Sequence, residues 1–231
     1  IRGNALTFPP TGLICLENTH NRCGGAVLTA DYIQTIADIA HRHNLPLHID
    51  GARIFNAAVA LNTDVKELVR SVDSVTFCLS KGLSCPVGSL ICGSADFIAR
   101  ARKNRKMVGG GMRQAGIIAA AGLVALDTMI GRLAEDHANA KLLAKGLAAI
   151  PGLALDPEAV QTNIVIAEVE DVPPLELQGR LAQRGLMTSY YQGRLLRFVT
   201  HYGIEREDIE AAIEITREVV AEMQAPVRAQ A

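Results

Sequence analysis

Three residues, a lysine, an aspartate and an arginine, carry types and positions that invite a search for chemistry. Lys81 stands between Ser80 and Gly82, directly after the apolar run 74–79. An amine at the end of a buried strand is costly to keep charged, and desolvation favours its neutral, nucleophilic form. A neutral amine adds to an aldehyde to give a Schiff base. Taken alone, Lys81 is also readable as a solvated loop lysine. Asp50 ends the run 45–50 and precedes Gly51, which permits a tight turn. Ligands gather at the carboxyl ends of strands in open α/β sheets. Asp50 and Lys81 both stand at such ends. Pyridoxal phosphate asks for this pair: an amine for its aldehyde, and an acid that keeps its ring nitrogen protonated. The plainer role of Asp50 is a helix N-cap. Arg53 follows three residues later. A guanidinium suits a phenolic or carboxylate oxygen, and its plainer role is a surface salt bridge.

Alternating strand and helix signals position these residues. Residues 13–16 read as a strand. Thr29 caps a helix whose apolar positions are Ile33, Ile36, Ala37 and Ala40. Strands follow at 45–50, 74–79 and 87–92, with a short helix at 64–70 started by Asp64 and Glu67. Ser94 opens a basic helix with Arg100, Arg102, Lys103 and Arg105, and Gly109, Gly110 and Gly111 break the chain before a small-residue helix at 117–126. The pattern predicts a parallel or mixed sheet covered on both faces. Beyond it the character changes: helix 133–149, strand 162–166, helix 175–184, strand 195–199 and a last helix through Ile209, Ile213 and Val220. This predicts a smaller α+β domain, with residues 1–132 in the large domain and 133–231 in the connecting helix and small domain. Residues 224–231 read as a frayed tail.

Composition narrows the function classes. Lys and Arg number 23 against 24 Asp and Glu, a net charge of −1, so no strong field recruits nucleic acid or an anionic membrane. Five cysteines form no CxxC pair. Cys78 and Cys92 lie in apolar runs and read as small core hydrophobes. No disulfide framework is expected, which points to a cytoplasmic setting. The first residues are no signal peptide, and no run approaches a membrane span. His41 and His43 read as charge complements at a helix end, His48 as a side chain packing on a sheet face. The histidines and cysteines make no convincing metal set.

Six ordered blocks give the chain a family likeness: LENTHN (16–21), HIDGARIFN (48–56), CLSKGL (78–83), PVGS (86–89), RKMVGGGMRQ (105–114) and RFVTH (197–201). Together they resemble the motif string of the L-threonine aldolases, fold-type I enzymes that use pyridoxal phosphate. The resemblance runs from about residue 13 to the last helix. It implies a three-layer α/β large domain of the pyridoxal-phosphate transferase type, incomplete in this chain, and a smaller C-terminal α+β domain. It implies that Lys81 bonds the cofactor's aldehyde carbon, Asp50 pairs with the pyridine nitrogen, and Arg53 lies near the phenolic oxygen and the substrate carboxylate. Arg197 resembles the arginine that clamps that carboxylate. His20, in the first block, is a candidate base for the substrate's hydroxyl proton, or a histidine that shapes its loop. Lys106 is a candidate for substrate and Arg113 for cofactor. Glycine N–H groups beside these cations would form an anion nest, whereas a surface hairpin is the bland alternative.

The implied reaction is cleavage of L-threonine, L-allo-threonine or a related β-hydroxy-α-amino acid such as phenylserine to glycine and an aldehyde. Rivals are another fold-type I enzyme (a β-lyase, an aminotransferase or a serine hydroxymethyltransferase-like enzyme) and a cofactor-free relative with an assembly or binding role. The family implies a small amino-acid substrate and a homo-oligomer, a dimer or a dimer of dimers, with no nucleic-acid or membrane partner. Its members carry a segment before the first block that supplies a phosphate cradle and a ring stacked on the pyridine. Residues 1–10 supply neither, so the chain reads as part of a longer polypeptide.

Overall fold

The computed structural model describes residues 1–3 and 6–225. They divide into two compact units, 1–21 with 27–133, and 22–26 with 134 onward.

The first unit begins with strand β1 (Ile14–Glu17) and helix α1 (Ala30–Arg42). Thr29 starts α1 by accepting a hydrogen bond from the Tyr32 N–H at 3.3 Å, which satisfies a backbone donor that a helix start leaves open. Strand β2 (Leu47–Asp50), helices α2 (Ile54–Ala60) and α3 (Val65–Leu68), strand β3 (Ser74–Cys78), strand β4 (Ser89–Gly93), and helices α4 (Ala95–Met107) and α5 (Gly116–Thr128) follow. The sheet order is β1-β2-β3-β4. The first three strands are parallel and β4 returns antiparallel to β3. Ile33, Ala37 and Ala40 form the buried stripe of α1, which joins Leu47, Ile49, Ile54 and Leu68 in one apolar cluster. Each such Ile or Leu contributes about 1.5–3 kcal/mol on burial. Helix α3 is shorter than the 64–70 expected. Asp64 caps it, but the turn already ends at Val69, which leaves helical geometry with φ −113° and ψ 8°.

The second unit holds helix α6 (Leu133–Ala148), strands β5 (Leu153–Ala154) and β6 (Ile164–Val169), helix α7 (Pro174–Gln183), strands β7 (Ser189–Gln192) and β8 (Leu195–Val199), and helix α8 (Arg206–Gln224). Its sheet, in the order β5-β6-β8-β7, is antiparallel throughout. Residues of α6, α7 and α8 share one core with β6 and β8. β5 and β7 went unread in the sequence. β5 has two residues, and β7 is polar and bulged near Tyr190 and Gln192, so neither shows an alternating apolar pattern. Gln224 ends α8 with its amide donating to the Pro151 carbonyl and to Asp171, each at 3.2 Å. That much of the expected tail is ordered structure, and residues 226–231 lie outside the described residues.

Two cysteine expectations fail. Cys92 is exposed and Cys78 only half-buried, whereas Cys85 is the buried one. β4 is an edge strand whose five residues are all exposed, so an apolar sequence there does not mean a core position. His48 instead behaves as expected for a sheet-face residue, its Nδ1 lying 2.8 Å from Ser74 Oγ. His41, in the last turn of α1, pairs with Asp73 at 3.0 Å. No single described helix is long and apolar enough to cross a membrane.

Within α6, His137 is buried, and that burial, with the nearby Lys141 charge, pushes its pKa down to about 4. The folded state keeps the ring neutral, while the unfolded chain takes up a proton near the ordinary 6.5. Stability is therefore complete above about pH 6.5 and declines as pH falls toward 4, by up to about 3 kcal/mol. Urea denaturation at pH 7 and pH 4.5 checks this: His137→Gln is expected to lose distinctly less stability on acidification than the wild type.

Candidate active site

Register fixes the row of strand ends. Glu17, the last residue of β1, is the direct partner of Asp50, the last residue of β2, and Asp50 is the partner of Thr76 on β3. The chain after each strand continues the ladder. The Asn18 N–H donates to the Asp50 carbonyl at 2.9 Å, and the Gly51 N–H to the Thr76 carbonyl at 2.8 Å. Asp50 is exposed at this end. Its Oδ1 accepts the Ala52 N–H at 3.1 Å, so the carboxylate shapes the local turn, while Oδ2 is left for another donor. Gly51 is needed for close approach: a Cβ there would lie 2.7 Å from the Thr76 carbonyl oxygen and 3.1 Å from Val75 Cγ2. Arg53 occupies the N-cap of α2 and is half-buried, its carbonyl accepting from Asn56 at 3.0 Å and Ala57 at 3.3 Å. Asp50 and Arg53 thus bracket one fixed turn.

The Lys81 turn follows β3. It is closed by the Leu79 N–H on Gly88 at 2.9 Å, the Ser84 N–H on Lys81 at 2.8 Å and the Cys85 N–H on Leu79 at 3.0 Å. Gly82, Leu83 and Cys85 are buried beneath it, but Lys81 itself is exposed. Burial of its amine, expected from the apolar context, is thus absent among the described residues. The apolar residues form the floor of the turn, and the lysine stands on it. A Cβ on Gly82 would lie 3.2 Å from Asn56 Oδ1 of α2, so the lysine turn packs against the helix that Arg53 begins.

The loop after β1 is pinned at both ends. Asn18 donates from Nδ2 to the Leu28 carbonyl at 3.0 Å and accepts the Leu28 N–H at 3.1 Å. Glu17 Oε1 accepts the Asn21 N–H at 3.0 Å, and Oε2 lies 3.6 Å from His20 Nε2. His20 is half-buried, and its Nδ1 is buried without a hydrogen-bond partner, as is Thr19 Oγ1. Glu17, in the first block, carries no separate signal in the sequence, because strand register alone sets it beside Asp50.

Lys106 and Arg113 are exposed, and no hydrogen bond or ion pair among the described residues joins either to Lys81, Asp50 or Arg53. The anion nest is not formed. The Gly109 N–H bonds the Lys106 carbonyl at 3.2 Å and the Gly110 N–H the Arg105 carbonyl at 2.8 Å, so two of the three glycine donors close the end of α4. In the second unit, Arg197 is half-buried on β8, in register with Ile166 and Ser189, and its guanidinium carbon lies 5.6 Å from the Tyr191 ring centroid. Contact of this kind attracts a guanidinium to the ring face.

Residues 1–170 match the beta-eliminating lyase family. The chain belongs to that family. Members similar to it include the low-specificity L-threonine aldolase 1 of Arabidopsis thaliana, 43% identical over 96% of this chain and 63% of the relative. The low specificity L-threonine aldolase of Escherichia coli K12 is 42% identical over 90% of this chain and 60% of its own length. The chain thus spans about three-fifths of the curated relatives it matches. Among solved structures, the threonine aldolase of Leishmania major superposes with a TM-score of 0.75 at 19% identity, covering 94% of this chain and 64% of that one. A PLP-dependent aminotransferase of Streptococcus suis gives 0.73 at 18%, covering 95% and 60%. The fold is therefore that of the fold-type I enzymes.

Pyridoxal phosphate, the cofactor of this fold family, can be tested against the residues present. Asp50 offers a free carboxylate oxygen at a strand end, and Lys81 an exposed amine on a rigid turn. A ring nitrogen and an aldehyde need these two groups, so the residues fit. Gly51 gives the test of how tightly the turn is built. Gly51→Ala is expected to cost about 1–3 kcal/mol through overpacking and to weaken cofactor retention, read as a lower denaturation midpoint and a reduced ratio of bound cofactor to protein.

Proposed function

We propose that the polypeptide containing this chain cleaves L-threonine and L-allo-threonine to glycine and acetaldehyde, with other β-hydroxy-α-amino acids such as phenylserine also accepted. The observation that carries the reading is the row of strand ends that brings Asp50 and Arg53 to one fixed turn, with the Lys81 turn packed on the helix Arg53 begins. The relatives named as L-threonine aldolases support the choice of reaction within the family. In this proposal the first unit is the cofactor-binding part, nominally residues 1–132, and residues 133–231 form the connecting helix and small domain.

When bound, pyridoxal phosphate supplies an electron sink for the pair released as the substrate's Cα–Cβ bond breaks. The chain's own residues do the rest. Lys81 would hold the cofactor through its amine, a place that the substrate's amino group would take over. Asp50 would hold the proton on the ring nitrogen with its second carboxylate oxygen. Arg53 in the first unit and Arg197 in the second each carry the forked donor that suits a substrate carboxylate. The base for the β-hydroxyl proton is His20 or a water it orients. Lys106 and Arg113 stand in this reading as contacts to substrate and cofactor from the segment after α4. The composition fits an enzyme working in the cytoplasm, and the small-residue helix α5 fits close packing in a dimer or a dimer of dimers.

Lys81→Ala is expected to abolish threonine cleavage and to leave no cofactor attached to protein after borohydride treatment; turnover in this variant sinks the assignment. Arg197→Ala is expected to raise KM for L-threonine about tenfold or more, with kcat much less changed, as loss of one carboxylate contact predicts. Steady-state kinetics at saturating cofactor read this directly, and an unchanged KM removes the clamp.

A further inference from the structure

We infer that Tyr191 is a positioning residue that presents the Arg197 guanidinium to the substrate carboxylate, an inference that rests on the proposed carboxylate contact of Arg197. β8 lies between β6 and β7, and Arg197 is in register with Ile166 on one side and Ser189 on the other. Its sequence neighbours Leu196 and Phe198 enter the core of the second unit. Side chains alternate along a strand, so Arg197 points to the opposite face. Two flanking strands thus fix its backbone. Its side chain is long, and a long side chain loses rotamer freedom when it meets a ligand. A surface that gathers the guanidinium beforehand lowers that cost.

Tyr191 supplies such a surface. β7 pairs regularly up to Tyr190, opposite Leu196, and resumes at Gln192, opposite Leu195. Tyr191 is the residue inserted between them. A bulge of this kind re-aims a side chain, and here the guanidinium carbon of Arg197 lies 5.6 Å from the Tyr191 ring centroid. At that distance a cation is attracted to an aromatic face. The ring is itself held, because Tyr191 is half-buried and its hydroxyl oxygen is buried. That hydroxyl meets no hydrogen-bond partner among the described residues, so the ring rather than the hydroxyl acts on Arg197. Tyr190 is the contrast: it is exposed, and its hydroxyl donates to the Gly193 carbonyl at 3.2 Å, within the turn from β7 to β8. A guanidinium meets an aromatic ring by its face and a carboxylate along its edge, so the two contacts are compatible.

Two variants separate the ring from the hydroxyl. In the full-length holoenzyme, Tyr191→Leu is expected to raise KM for L-threonine about threefold to tenfold, the size of one cation–π contact, with kcat within about twofold. Tyr191→Phe is expected to match the wild type in both. Inhibition by glycine and by glycinamide gives the readout that a merely structural role would not split, because only glycine carries the carboxylate. Tyr191→Leu is expected to weaken glycine inhibition by the same factor as KM rises and to leave glycinamide within about twofold. In an Arg197→Ala background it is expected to add no further rise in KM. Tyr191→Met, which also lacks an aromatic face, takes the place of Tyr191→Leu if that variant does not fold. An unchanged KM in Tyr191→Leu, equal weakening of both inhibitors, or an equal rise in KM with and without Arg197 overturns the role of Tyr191. The full rise in Tyr191→Phe overturns the action of the ring. Unchanged KM in Arg197→Ala refutes the carboxylate contact itself, whereas a raised KM there beside an unchanged KM in Tyr191→Leu refutes the inference about Tyr191 alone.

Discussion

Parallel pairing of β1, β2 and β3 in a single register is the constraint on which the site depends. Parallel strands end on the same side of a sheet, and their connections must cross over it. Helix α1 makes the first crossover, and α2 and α3 the second. The register Glu17–Asp50–Thr76 then aligns the polar side chains that end β1 and β2 with one in the middle of β3, spaced by about 5 Å, the ordinary distance between strands. A slip of one residue would turn each of these side chains to the other face. The buried stripe of α1 against Leu47 and Ile49 resists that slip, because the same shift would expose both residues. The apolar cluster and the polar row are consequences of one alignment.

Close backbone approach tightens this arrangement. Gly51 lets the chain leave β2 within hydrogen-bond reach of Thr76, and Gly82 lets the lysine turn settle onto Asn56. Neither glycine has the left-handed conformation for which glycine is usually required. Their role is room: a methyl group at Gly51 would collide with the Thr76 carbonyl, and one at Gly82 would require the Asn56 side chain to give way by a few tenths of an ångström. The lysine turn illustrates how an apolar sequence context can mislead. Leu79, Leu83 and Cys85 are buried because they form the support, and the charged residue among them is lifted clear by the same turn.

The positions of Asp50, at the end of β2, and Lys81, in the turn after β3, were legible because strand ends can be read from where an apolar run stops. Helix starts were legible for a similar reason: Thr29, Asp64 and Ser94 each accept from the backbone at the position their side chains suggest. What escaped depends on partners distant in sequence. β7 is polar and bulged, and it is a strand only because β8 lies beside it. Cys92 sits in an apolar run but on an edge strand, and one-dimensional hydrophobicity does not tell an edge from a centre. The glycine run 109–111 suggested an anion site from composition, yet two of its three donors bond carbonyls at the end of α4.

Asp50 was open to two readings, a helix N-cap and a cofactor partner; the N-cap of α2 is Arg53, and Asp50 holds the turn before it in a way that leaves room for the second role. A carboxylate has two oxygens, each able to accept. Oδ1 takes the Ala52 N–H and so stiffens the turn that leads to Arg53. Oδ2 stays available on the exposed side. Using one oxygen to hold the turn reduces the rotamer freedom the other would lose on meeting a ligand, which is the energetic meaning of preorganisation. Glu17 repeats the device one strand away, with Oε1 on Asn21 and Oε2 toward His20. Two neighbouring carboxylates each bind backbone with one oxygen and present the other, so the loop geometry after each strand and the chemistry offered at its end are set by the same side chain.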